Sequence, residues 1–247
     1  MTTILQVLSG VLVGYLIVTV CESFFHRAIG HAPPRLRRVW GRAPRVGTFF
    51  LRAWYAHHVV HHLRTFRRDH VTQFSSPGEE ARLRSGLVAQ GRGHIVEQDY
   101  GLRVGGPGEF LRYVAPTLPV FLAACWLGGA WFTAGAALPF LAMPLVSELV
   151  HPYVHMGHER AAREAPALLR PLLATRYFRS VARHHWLHHR YTDCNYNLLL
   201  GGDFLLGVHR RPGPGDLAEM AAIGLSVAGC RRVADAAPRH GSKAGRR

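Results

Sequence analysis

Two apolar stretches organise the chain. Ile4 to Val20 is an uncharged run of 17 residues, at the lower edge of what a spanning helix needs. Val114 to Val146 is a second run, 33 residues without a charge. As one straight helix it would be roughly 50 Å long, too long for a single crossing. Gly128-Gly129 near its middle, with Pro119, Pro139 and Pro144, predicts two short helices folded as a hairpin whose ends emerge on one side. Phe49 to Val60 and Leu217 to Gly229 are too short or too mixed to span, and read as interfacial or core helices. The pattern predicts an all-α protein, an integral membrane helical bundle. Residues 1–230 form a single domain, and 231–247 a basic, flexible tail.

Charge fixes the expected orientation. Arg27, Arg35, Arg37, Arg38, Arg42 and Arg45 follow the first apolar run, which places everything after it on the cytoplasmic side. The hairpin then returns the chain to that same side. Met1, Thr2 and Thr3 bear no side-chain charge and no small-residue cleavage site follows, so the first run reads as a retained helix, not a cleaved signal. A net charge of +15 suits anionic lipid or an acidic protein. No nucleic-acid-binding module accompanies it, and nucleic acid ranks last. Cys21, Cys125, Cys194 and Cys230 form no Cys-x-x-Cys pair, which argues against a sulfur-ligated metal or a redox dithiol.

The chain has 17 histidines, most of them in four clusters. The first is His26-Arg27-Ala28-Ile29-Gly30-His31, where a helix ending near Gly30 would turn His31 back toward His26. The second, His57-His58-Val59-Val60-His61-His62, contains His-x-x-His-His. At ~100° per residue, His58, His61 and His62 share one helical arc of about 100°. The third pairs His151 with His155 one turn apart, with His158 beyond. The fourth repeats the second, with His185, His188 and His189 on one arc and His184 preceding them.

Ten imidazoles exceed what one first-row ion takes, so the clusters predict two metals. The expected ligands are His26, His31, His58, His61, His62, His151, His155, His185, His188 and His189. His57, His158 and His184 are expected to be outer partners. Glu22, Glu148 and Asp193 lie three or four residues from expected ligands, where a carboxylate can orient an imidazole. His70, His94, His209 and His240 lie outside the clusters and are assigned to surface or core. Glu148-x-x-His151 is a single Glu-x-x-His, not the two such motifs that mark a carboxylate-bridged bundle, so the site is histidine-dominated.

In their order and spacing these four clusters resemble the histidine boxes of the fatty acid hydroxylase and sterol desaturase superfamily. Asn195-Tyr196-Asn197 and Asp203-Phe204-Leu205-Leu206-Gly207 resemble its asparagine-containing and Asp-x-x-aromatic-Gly ending, with Leu206 in the aromatic place. The resemblance covers about Glu22 to Gly207. It implies a cytoplasmic histidine-rich cap holding two iron ions, with zinc an alternative occupant of purified protein, and Asn195 among the outer partners. It also implies dioxygen as co-substrate and a lipid hydroxylated or desaturated at an unreactive C–H position. Two features depart from relatives: one membrane segment, not a hairpin, precedes the first box, and about thirty residues separate His155 from His185.

The residues supply no dinucleotide fingerprint, iron–sulfur cysteine set or fused haem domain, so electrons are expected from a separate protein such as a ferredoxin or b-type cytochrome. Arg35 to Arg45, with Arg64, Arg67 and Arg68, would attract an acidic carrier. The alternatives are a carotenoid hydroxylase, whose boxes include the His-Arg-x-x-x-His form of His26 to His31, and a membrane metal transporter or storage protein. Transport would more naturally place ligands along the membrane helices.

Overall fold

The computed structural model describes residues 2–65, 74, 76–95 and 107–225. Among these it is all-helical, with no strand. Arg67, Arg68, His70, Cys230, His240 and the tail 231–247 lie outside the described residues.

Helix α1, Thr3–Phe25, runs directly into a π-helical turn, His26–Gly30. Two short helices follow, α2 at Pro34–Arg42 and α3 at Pro44–Trp54, each begun by a proline that loses no hydrogen bond there. Helix α3 continues into a second π-helical segment, Tyr55–His62. Helix α4 is Pro77–Ala89, capped by Ser76, whose hydroxyl accepts from Glu79 N. The long apolar element α5 spans Pro107–Val154.

Helix α5 is two arms, not one rod. Gly129 has φ 77° and ψ −177°, a conformation that only glycine adopts at low cost. The rings of Phe121 and Phe140 stack 4.0 Å apart across this break. In a straight helix their 19-residue separation would place them ~28 Å apart, so the chain reverses at Gly129 as the hairpin pattern predicts. The remaining helices are short except one: α6 at His158–Glu164, α7 at Arg170–Leu173, α8 at Arg176–Tyr191, α9 at Gly202–Leu205 and α10 at Pro214–Ala222.

Helix α1 packs along the second arm of α5 at backbone contact. A Cβ added at Gly10 would overlap the carbonyl of Phe132, and one at Gly135 would overlap the carbonyl of Val7. At Gly14 it would lie 2.6 Å from the carbonyl of Ala136. Small residues four apart let two apolar helices meet this closely where no aqueous hydrophobic effect drives them together. Their outer faces stay bare, with Ile4, Leu8, Leu12, Leu138, Leu141 and Leu145 all exposed. Two helical stretches, Thr3–Gly30 and Val114–Val154, are long and apolar enough to cross a membrane. Trp126 and Trp131, exposed beside the Gly128-Gly129 tip, suit an interfacial belt at the end away from the histidines.

Replacing Gly10 with Val should separate α1 from α5 and cost about 1–3 kcal/mol, the usual range for overpacking. Thermal unfolding of the purified protein should register this loss. Gly41→Ala, where an added Cβ meets nothing within 4 Å, should leave the melting temperature unchanged.

Candidate metal centre

Nine histidines converge in two adjacent groups at one end of the α1–α5 pair. His26, His31, His57, His62 and His188 form the first, and His61, His155, His185 and His189 the second. Within each group one ring nitrogen per residue lies within 4.8 Å of all the others. The groups abut: His62 of the first stacks on His189 of the second with ring centroids 4.1 Å apart.

The π-helical segments explain how the chain reaches this arrangement. An i→i+5 ladder stacks residues five apart, not four. His31 N donates to His26 O at 3.0 Å, and the two rings lie parallel with centroids 5.3 Å apart. The same register in Tyr55–His62 brings His57 Nε2 to 3.0 Å from His62 Nε2. The second cluster therefore divides by π geometry, with His57 and His62 facing the first group and His61 the second. His58, expected as a ligand on an α-helical arc, instead sits behind His31, its Nδ1 3.0 Å from His31 Nδ1. There it stacks on Trp54, over which Arg37 lies at 4.2 Å.

Helix α8 keeps ordinary α geometry, and the expected arc holds. His188 faces the first group, while His185 and His189 face the second. His184 points elsewhere, its Nε2 2.9 Å from Asp203 Oδ2. His155 Nε2 lies 2.8 Å from His185 Nε2. His151 Nε2 is 3.3 Å from the same atom, which places His151 beside the second group. His158 stands apart, half-buried, with its pKa pushed down to about 4 by burial and by Arg179 and Arg183.

The loop after α8 determines what the imidazoles can do. It begins with Thr192 at φ 56°, an uncommon conformation for a β-branched residue, and Asn195 follows at φ 55°. The loop turns back so that Cys194 O lies 2.8 Å from His188 Nδ1, and Tyr196 O 2.5 Å from His26 Nδ1. A carbonyl oxygen can only accept, so both Nδ1 atoms carry the hydrogen. Both Nε2 atoms of the neutral rings are then bare lone pairs. These two lone pairs face each other at 3.1 Å. No proton can sit between them without charging a buried ring.

His57 Nε2 at 2.6 Å from His26 Nε2 and His31 Nε2 at 3.1 Å from His188 Nε2 can each donate to one of these lone pairs or, deprotonated there, join them around a cation. Two imidazole nitrogens binding one ion at ~2.1 Å about a right angle apart are separated by ~3 Å, as found here. In the second group, His61 Nδ1 lies 3.5 Å from Thr65 Oγ1, and its buried Nε2 has no hydrogen-bond partner among the described residues. Burial, and then the neighbouring imidazoles, hold His57, His61, His62, His185, His188 and His189 far below the usual histidine range. They are neutral, the form that binds a metal, throughout the physiological range. The residues fit a metal at both groups, and their nitrogen-only donor set suits a first-row ion such as zinc, copper, iron or nickel.

The carboxylates act mainly through the loop. Glu22 accepts from Leu198 N at 2.7 Å and from Asn197 Nδ2 at 3.0 Å. Asp203 accepts from Ser23 Oγ, His184 Nε2 and Asn197 N. Burial alone would raise the Asp203 carboxyl, but these donors outweigh it and hold it below the ordinary value. Asn197 Oδ1 accepts from Asp203 N, and Asn195 bridges His184 O and Arg210. Glu22, Asn195, Asn197 and Asp203 therefore clamp the loop that presents the two carbonyls. Asp193 is exposed, and Glu148 is half-buried one turn from His151. Sequence spacing could not reveal the roles of Cys194 O and Tyr196 O, because backbone carbonyls leave no residue signature.

A cavity of about 160 Å³ opens onto both groups, reaching His26 and His57 of the first and His185 of the second. Phe25, Ile29, Pro116, Pro144 and Leu198 supply apolar wall. No protein-family model matches the chain, and neither a curated protein nor a solved structure is similar to it.

The π register gives a discriminating expectation. His57→Ala should lower bound metal by about one equivalent per chain, as measured by elemental analysis. His58→Ala should retain both equivalents and weaken metal retention by ~10 to 100-fold, the usual effect of removing an outer partner. Asp203→Asn should fall in the same range, because it loosens the loop without removing a nitrogen donor.

Proposed function

We propose that the protein is a membrane oxygenase that holds two iron ions between its histidine groups and hydroxylates or desaturates a lipid at an unreactive C–H position. One observation carries the reading: two adjacent, neutral imidazole groups, with lone pairs forced together, open onto an apolar cavity at the end of two membrane-length helices. The four boxes and their order support it, since they resemble those of the fatty acid hydroxylase and sterol desaturase superfamily. Iron when bound would supply the activation of dioxygen that side chains alone cannot perform.

The chain's own residues have three tasks in this reading. His26 and His188 are held in one tautomer by Tyr196 O and Cys194 O, so each offers Nε2 without a proton being displaced. The histidines are packed out of water, with His61, His62, His155, His185 and His188 all buried, which protects a reactive centre from side reactions. The cavity wall brings an aliphatic chain from the bilayer to both groups.

Electrons come from a separate carrier on the cytoplasmic side. Arg35, Arg38, Arg42 and Arg45 are exposed on and beside α2, which follows the turn carrying His31. They form a cationic surface for an acidic ferredoxin or b-type cytochrome, and for anionic lipid. Metal transport is the weaker reading, since the histidines gather at the helix ends and do not line the spans.

Lipid extracts from cells with and without the gene, compared by mass spectrometry, should differ by one oxygen or by two hydrogens in one lipid class. His61→Ala and His188→Ala should each abolish that difference. An unchanged lipid profile, or one unaffected by both variants, contradicts the function. Reversing Arg38 and Arg42 to Glu should slow donor-driven turnover and flatten its salt dependence while metal content stays constant. Turnover indifferent to ionic strength and to the reversal contradicts the docking surface.

A further inference from the structure

The cavity wall is not uniformly apolar. Ser147, on the second arm of α5, is only 5% exposed and lines the cavity. Its hydroxyl is buried with no hydrogen-bond partner among the described residues. A serine inside a helix ordinarily satisfies itself on the carbonyl one turn back, and Ser147 does not. A buried hydroxyl left unpaired is costly, and its presence in a binding cavity points to a partner supplied from outside. Ser147 stands four residues before His151, on the same helical face and ~6 Å along the axis.

Charge on the wall limits what that partner can be. Among the described residues, Glu22 and Glu148 line the cavity and no Lys or Arg does. A carboxylate or phosphate would be turned from these acids toward the cations that the histidine groups hold in the proposed reading, so it would not settle against Ser147. A neutral hydroxyl is not so diverted, and can both donate to and accept from Ser147.

We propose that the cavity takes an aliphatic chain bearing a neutral hydroxyl, and that Ser147 is the hydrogen-bond partner that selects it. This deepens the oxygenase reading and rests on it for the identity of the cavity as a substrate site. The substrate is then an alcohol-bearing lipid, neither a bare hydrocarbon nor a free fatty acid inserted head first. Its hydroxyl lies about one helical turn from His151, so the carbon presented to the histidine groups is a few bonds from the alcohol. Ser147 acts as a specificity residue and takes no part in metal binding.

The test is equilibrium binding of tritiated 1-decanol to the full chain in nanodiscs, with its metal, using unlabelled decane and decanoate as competitors. The wild-type protein should prefer decanol to decane by about tenfold, the worth of one good hydrogen bond, while decanoate competes in a way that does not depend on Ser147. Ser147→Val and Ser147→Thr have the same shape and differ in the hydroxyl. The valine variant should lose the preference over decane and the threonine variant keep it, both with unchanged metal content. A preference over decane that survives in Ser147→Val, no such preference in the wild type, or decanoate competition that falls in Ser147→Val as much as decanol binding does would each overturn the inference. Because binding needs no turnover, it separates the two claims. Selective alcohol binding without any lipid oxidation would defeat the oxygenase alone, whereas oxidation with binding indifferent to position 147 would defeat the Ser147 inference alone.

Discussion

Two lone pairs held face to face are the constraint on which the rest of the structure depends. His26 comes from the end of the first apolar helix and His188 from α8, 162 residues later. Each is fixed in the same tautomer by a carbonyl of one loop. Around them His57 Nε2 lies 2.6 Å from His26 Nε2 and His31 Nε2 3.1 Å from His188 Nε2, so the four nitrogens crowd one point where inter-ring hydrogen bonds or a shared cation can satisfy them. The loop therefore shapes the centre without contributing a side-chain ligand. Its supports span the molecule: Glu22 and Ser23 from α1, His184 from α8, Asn197 from the loop itself and Asp203 from α9.

Other unusual features gather at the same place. π-Helical turns are rare and occur mostly at functional sites, and both here carry histidines. The left-handed conformations of Thr192 and Asn195 open the loop that supplies the carbonyls. The close packing of α1 on α5 provides the rigid base from which His26 and His151 are presented. Glycine at positions 10, 14 and 135 is what lets the two backbones touch.

The sequence made the helical class, the two apolar helices and the reversal at Gly129 legible, because length, charge and glycine placement act locally. Its ten expected ligands include eight of the nine histidines that gather, since phased clusters are a periodic signal. The division of labour inside the second cluster was hidden. A period of 3.6 selects His58 with His61 and His62, and only the switch to π geometry turns His57 inward and leaves His58 behind His31. The acid spacings were informative about neighbourhood and not about partner. Glu22 is four residues from His26, yet it binds the loop whose carbonyl holds His26. Ser147 carried no signal at all, being one more small residue in an apolar helix until its unpaired hydroxyl is seen beside the cavity.

The central claim is that each histidine group holds its own ion. Anomalous diffraction at the iron edge, from crystals of the full chain loaded anaerobically with ferrous iron, tests it directly. Two separate peaks are predicted, one among His26, His31, His57, His62 and His188 and the other among His61, His155, His185 and His189. A single peak shared by the groups, or none within reach of these nitrogens, would contradict the account.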